Sequence, residues 1–181
     1  MTHLPAKPYS GRTLQPQFIV FTMLQVGQPA PDFTLRTTSG QSFRLVDQRG
    51  RHVVLYFYPK DDTPGCTAEA CSFRDAHAAF LDAGTVVIGV SSDPPEGHRA
   101  FAGKYGLPFP LLSDDGTLRA RYGVPRTLGL IPGRVTYLID RAGIVRQIYS
   151  SQFRPASHVA EALRGLEEIR RQGPGVEPSP P

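Results

Sequence analysis

Apolar residues along this chain fall in short blocks whose spacing switches between two and about three and a half. Phe33 and Leu35, then Ser39-Gly40, then Phe43 and Leu45 alternate with polar neighbours, the pattern of a hairpin. Residues 52–58 (His-Val-Val-Leu-Tyr-Phe-Tyr) are nearly all apolar, which predicts a strand covered on both faces. From Gly65 or Cys66 to about Ala83 the period becomes helical, carried by Phe73, His77, Phe80 and Leu81. Residues 85–91 read as a second buried strand. A helix near 95–105, a short strand around 110–112 and a short helix near 117–122 follow. Residues 135–140 and 144–150 form a second hairpin through Arg141-Ala142-Gly143. The closing helix, about 156–171, carries Val159, Leu163, Leu166 and Ile169 on one stripe.

Strand–helix–strand units followed by an antiparallel hairpin and a last helix predict an α/β protein. The expected architecture is thioredoxin-like, with a mixed central sheet, helices on both faces and an N-terminal hairpin. The ends read differently. Residues 1–22 hold three prolines and no periodicity, and three readings stay open: an extension, an overextended start with initiation at Met23, or a poor export signal. Residues 173–181 (Gly-Pro-Gly-Val-Glu-Pro-Ser-Pro-Pro) cannot bury themselves and are expected to be a disordered tail. The domain is therefore expected over residues 23–172.

Composition changes this picture little. The chain has 181 residues, 40% of them hydrophobic and 20% charged, enough for one domain with a sizeable core. Its net charge of +4 comes mostly from scattered arginines, so no nucleic-acid partner is expected. No apolar run reaches the roughly 18 residues of a membrane span. The histidines at 3, 52, 77, 98 and 158 lack ligand spacing, so neither metal nor other cofactor is expected. The expected location is cytoplasmic.

The chemistry concentrates at the two cysteines, Cys66 and Cys71, directly after the first buried strand. Thr63-Pro64 reads as an N-cap followed by a first-turn proline, which puts Cys66 in the first turn of a helix. There the unpaired backbone amides and the helix dipole favour a negatively charged sulfur. The Thr63 hydroxyl can serve as the cap, and can also bond the sulfur or an oxygen approaching it. Pro59 turns the chain sharply and covers the sulfur with apolar surface. Arg134 opens a strand; it is either a cation facing the same pocket or a solvated surface residue. Cys71 is either a second redox thiol or a small core residue. A structural disulfide closing so few residues removes little unfolded-state entropy and is disfavoured.

The pattern Pro59-x-x-x-Thr63-x-x-Cys66 resembles the active-site signature of the peroxiredoxins, thiol enzymes that reduce hydroperoxides. The longer string from Phe57 to Thr67 (Phe-Tyr-Pro-Lys-Asp-Asp-Thr-Pro-Gly-Cys-Thr) resembles the bacterioferritin-comigratory, or Q, subfamily. The likeness extends through Phe73-Arg74-Asp75, Gly89-Val90-Ser91, the run from Phe109 to Asp114 and the run from Thr136 to Asp140, covering about residues 24–171. It implies that Cys66 is the peroxidatic cysteine, that Pro59, Thr63 and Arg134 are its partners, and that Cys71 is the resolving one. The implied activity is a peroxidase acting on hydrogen peroxide and organic hydroperoxides, recycled by thioredoxin or a similar dithiol, in a monomer. The alternative is a thioredoxin-like thiol–disulfide exchanger or a redox sensor. An exchanger would want C-x-x-C, whereas four residues separate these thiols.

Overall fold

The computed structural model describes residues 24–173. The expectations for residues 1–22 and for the tail beyond Gly173 lie outside the described residues.

Five strands form the central sheet in the order β5-β4-β3-β8-β9. Strand β3 (His52–Phe57) lies in the middle and all six of its residues are buried. It runs parallel to β4 (Thr85–Ser91), which runs parallel to β5 (Leu111–Ser113). On its other side β3 is antiparallel to β8 (Val135–Ile139), which pairs with β9 (Val145–Ser150) as the expected hairpin. The sheet is thus mixed, as the patterning predicts.

Alternation along β3 separates two cores. Val53, Leu55 and Phe57 face a cluster with Phe33, Phe43, Leu118 and Tyr122, so this face is covered by the hairpin β1 (Thr34–Arg36) and β2 (Ser42–Arg44) and by α4 (Thr117–Arg121). Val54 and Tyr56 face Ala70, Phe73, Phe80, Phe101 and Val159. Those residues come from α1 (Pro64–Asp75), α2 (His77–Asp82), α3 (Pro95–Tyr105) and α5 (Ser157–Gln172). Gly89 of β4 is needed there, because a Cβ would lie 2.7 Å from both the Tyr56 ring and Leu111.

The single helix expected over residues 65–83 is instead two. Ala76 (φ −91°, ψ 3°) leaves the helical region and separates α1 from α2. Phe73 and Phe80 remain fully buried in one core on either side of the break. The apolar period runs through the interruption, which is why the sequence reads as continuous. A second unexpected element is a small arm, β6 (Arg126–Thr127) paired with β7 (Ile131–Pro132). Strands of two residues are too short to show a period. Leu128, at the arm's tip, adopts φ 53°, and Leu128, Leu130 and Ile131 are exposed.

One register positions the site. Phe57, the last residue of β3, pairs with Val135, the first of β8. The chain leaving β3 through Tyr58 and Pro59 therefore emerges beside the residue that precedes β8, which is Arg134.

Candidate active site

Helix α1 begins at Pro64, with Thr63 in an extended conformation at the N-cap and Cys66 in the first turn. No side chain caps this end. The Thr63 hydroxyl turns back to donate to the Lys60 carbonyl at 3.1 Å, so the capping bond expected from the sequence is not made. A Thr at the cap position can close the preceding turn instead, and here it does. The amides of the first turn thus keep no side-chain acceptor and are available to an incoming oxygen.

Cys66 is 2% exposed and is a free thiol. The Arg134 guanidinium donates from Nη2 to its sulfur at 3.3 Å, and from Nη1 to the Glu69 carboxylate. Gly65 eases this approach, since a Cβ there would lie 3.3 Å from Nη2 and crowd the guanidinium. Arg134 is 4% exposed, so its charge is not shared with solvent. Burial works against that charge, but Glu69 and the Cys66 sulfur outweigh it and hold the guanidinium protonated. Arg134 is therefore a pocket cation rather than the solvated surface residue that the sequence left open.

Pro59 is partly buried in the turn after β3. Cys71 is a free, partly exposed thiol further along α1. The loop between β3 and α1 is pinned by its two acids. Asp61 accepts from Tyr58 Oη at 2.6 Å, and its Oδ2 is 2.7 Å from His98 Nδ1. Asp62 adopts φ 54° and accepts from Lys104 and from Tyr105 Oη at 2.7 Å.

Three contributors escaped the sequence reading. Glu69 has one detectable signal: it lies three residues after Cys66, on the same helical face. Arg119 has none. It sits among scattered arginines, yet it donates from Nη1 to the Gly133 carbonyl and from Nη2 to the Tyr58 carbonyl, both at 2.8 Å. It thereby ties the residue before Arg134 to the residue before Pro59. Gly133 is required at that crossing because any Cβ would collide with the Pro125 carbonyl. His158, from the closing helix, is fully buried with Nδ1 2.7 Å from Thr136 Oγ1.

A mixed five-stranded sheet with a buried cysteine in the first turn of the helix after its central strand, and an arginine on the sulfur, defines a thiol enzyme of thioredoxin-like fold. Residues 26–148 match the AhpC/TSA family, and the chain belongs to that family. Peroxiredoxin Q, chloroplastic, of Arabidopsis thaliana is 49% identical over 151 residues, 82% of this chain and 70% of that protein. The protein of the same name from Populus jackii is 47% identical over 152 residues, 83% of this chain and 71% of that one. Among solved structures, the peroxidoxin BcpB of Mycobacterium tuberculosis superposes with a TM-score of 0.75 at 38% identity, covering 81% of this chain and 99% of that one. A bacterioferritin comigratory protein of Xanthomonas campestris gives 0.69 at 33%, covering 75% and 90%. The Q-type resemblance and the thioredoxin-like fold are borne out, and the activity is that of a thiol peroxidase with a peroxide substrate and a thioredoxin-type reductant. The expected cytoplasmic location is contradicted: these curated relatives are named as chloroplastic proteins, which points away from the cytoplasm.

Proposed function

We propose that Cys66 is the peroxidatic nucleophile, that Arg134 is its catalytic partner, and that Cys71 resolves the oxidised form. The observation that carries this is the 3.3 Å contact between the Arg134 guanidinium and a cysteine sulfur in an uncapped first helical turn. The Cys66 thiolate attacks the terminal peroxide oxygen and the O–O bond breaks. Cys66 becomes a sulfenic acid, and the leaving alkoxide or hydroxide takes a proton to become alcohol or water. Arg134 and the first-turn amides hold the two oxygens and offset the charge developing on the leaving one. Thr63 borders the same turn and assists by its hydroxyl once that group leaves the Lys60 carbonyl. Pro59 limits access of water to the sulfur.

Cys71 then attacks the sulfenic sulfur, forming a disulfide and releasing water, and a thioredoxin-type dithiol returns both thiols. Because both cysteines belong to one chain, the cycle closes within a monomer and requires neither nucleic acid nor membrane. Residues 23–172 form the catalytic domain in this reading, since the described elements run from β1 to the end of α5 at Gln172.

The test is peroxide consumption by the reduced chain with a thioredoxin system, set beside its reduction of insulin disulfides. Fast peroxide turnover that Cys66→Ser abolishes supports the assignment, because a serine hydroxyl forms no comparable anion near neutral pH. Appreciable turnover by Cys66→Ser removes Cys66 as nucleophile. Insulin reduction without peroxide turnover would favour the thiol–disulfide exchanger.

A further inference from the structure

Four of the six large apolar side chains exposed among the described residues belong to one end of the sheet, the end where the Cys66 helix begins. Leu128, Leu130 and Ile131 lie on the arm β6–β7, which leads through Gly133 into Arg134. Phe153 follows β9, and the register Val135↔Ser150 sets the end of β9 beside the start of β8. The arm and Phe153 thus leave the sheet from neighbouring strands, next to the residue that touches the Cys66 sulfur.

Neither core asks for these side chains. Leu128, Leu130 and Phe153 are each at least 80% exposed, so they add little to folding. Leu128 also sits at φ 53°, a conformation that disfavours a bulky side chain and persists only where its surroundings fix it. Here they do. Arg126 pairs with Pro132, the Gly133 amide donates to the Pro125 carbonyl at 2.9 Å, and Arg119 holds the Gly133 carbonyl. An apolar tip carried into solvent on a braced base is a contact surface.

Its rim carries one sign of charge. From Gly116 to Ile139 the chain has four arginines and no acid, and from Arg141 to Ala160 it again has no acid. Arg126, two residues before Leu128, and Arg154, next to Phe153, are exposed and make no ion pair among the described residues. The acids of the loop before α1 are engaged elsewhere, Asp61 by Tyr58 and His98, Asp62 by Lys104 and Tyr105.

We propose that the β6–β7 arm and Phe153 form the docking surface for the dithiol reductant, a protein whose face around its own thiols is apolar and rimmed by acids. The proposal rests on Cys66 and Cys71 being the redox pair. Size decides the occupant. A specific protein contact covers about 800 Å² on each partner, a disc of roughly 16 Å radius. Leu130 comes four residues before Arg134, so it lies within about 14 Å of it. Phe153 comes three residues after Ser150, whose hydroxyl donates to the Arg134 carbonyl at 3.4 Å, so it lies within about 11 Å of Ser150. A protein that reaches the sulfur beside Arg134 must cover both. The organic group of a small hydroperoxide instead needs concave walls, which projecting tips do not supply. Once docked, a reductant thiolate attacks one sulfur of the Cys66–Cys71 disulfide to give a mixed disulfide, and its second thiol displaces that bond. Two electrons and two protons pass to Cys66 and Cys71, and the reductant leaves as a disulfide.

The experiment separates the two half-reactions on the full chain. A triple variant, Leu128→Asn, Leu130→Ser and Phe153→Ser, removes the apolar tips, and asparagine tolerates the backbone at 128. With thioredoxin, its reductase and NADPH, kcat/KM for thioredoxin should fall roughly tenfold or more. Single-turnover oxidation by hydrogen peroxide, and reduction of the disulfide by dithiothreitol, should stay within about twofold of wild type, because neither needs a protein contact. Arg126→Glu with Arg154→Glu should also lower kcat/KM for thioredoxin and should weaken its decline with added salt. This pair decides the matter even if the triple variant fails to fold. Unchanged kcat/KM for thioredoxin in both variants overturns the proposal. So does a loss confined to oxidation by cumene hydroperoxide, which would assign the surface to the peroxide, or a wild-type dimer that the triple variant dissociates, which would assign it to a second copy. Peroxide turnover by Cys66→Ser would instead overturn the choice of nucleophile, so the two failures are distinguishable.

Discussion

Arg134 brings a guanidinium nitrogen to 3.3 Å from the Cys66 sulfur across a sequence separation of 68 residues. Nothing local makes this contact. It follows from the antiparallel register Phe57↔Val135, which sets the start of β8 beside the end of β3. A one-residue slip would send Arg134 to the opposite face of the sheet. Arg134→Ala should slow peroxide attack by roughly 10²–10³-fold, the usual effect of removing one donor to a developing oxyanion. Arg134→Lys should recover part of the rate, because an ammonium supplies charge without the two-pronged geometry that spans sulfur and carboxylate. Stopped-flow oxidation with hydrogen peroxide measures both, and an unchanged rate in Arg134→Ala would exclude it from the reaction.

Arg119 acts at one remove. Its two bonds to the carbonyls of Tyr58 and Gly133 join the strand ends that deliver Cys66 and Arg134. Arg119→Ala leaves two buried carbonyls without those donors and should cost about 2–4 kcal/mol in urea unfolding, at 1.5–3 for each bond to a charged group with partial relaxation. The peroxide rate should fall as well, because Arg134 loses its fixed starting point. A variant that is destabilised yet oxidises at the wild-type rate would show that the tie serves stability alone.

The contrast between Cys66 and Arg119 marks what was legible in the sequence. Cys66 announces itself through local grammar: a buried strand, a Thr-Pro step and a helix start all lie within fifteen residues of it. The strands and helices of the sheet likewise show in period, down to β4 at residues 85–91. Arg119 and His158 carry no such signal. Their roles depend on which backbone oxygens and which hydroxyl the tertiary fold brings to them. The Thr63 hydroxyl shows the converse: its position was legible, but its choice between the helix amides and the Lys60 carbonyl was not. The break at Ala76 was hidden because the core demands the same apolar face before and after it.

The titration of Glu69 sets a pH dependence of stability. Its carboxyl is raised from an ordinary 4.5 to about 8 by burial, so between those values the folded state holds a proton that the unfolded chain has released. Stability must then fall as pH rises through this window. His158, lowered from 6.5 to about 4 by burial, works the other way and only below about 6.5, where stability falls as pH drops. Between roughly pH 6.5 and 8 only Glu69 of these two contributes, with a slope of at most about 1.4 kcal/mol per pH unit. Denaturant midpoints should decline across that interval in the wild type and decline less in Glu69→Gln. Equal slopes in the two proteins would mean that Glu69 is ionised throughout.

The resolving step requires a change of shape. Cys66 and Cys71 both lie within α1, which runs unbroken from Pro64 to Asp75. Five helical steps give an axial rise of about 7.5 Å and a rotation of about 500°, which leaves the side chains on different faces. The corresponding Cα separation of roughly 8–9 Å exceeds the ~7 Å that a disulfide bridges without backbone movement. The first turns must therefore unwind once Cys66 is oxidised. They are suited to it, since no side chain caps them and Gly65 weakens the helix there. The far half is better held: Arg74 donates to the Tyr105 carbonyl at 2.8 Å, tying α1 to the end of α3. Unwinding should thus stop short of Arg74. Oxidised protein should show faster amide exchange than reduced protein across about residues 66–73, with exchange beyond Arg74 unchanged. Cys71→Ser should consume one equivalent of peroxide and then need a small thiol for further turnover. If no linked peptide joining Cys66 to Cys71 appears by mass spectrometry, or if the two redox forms exchange alike in the first turns, Cys71 is not the resolving residue.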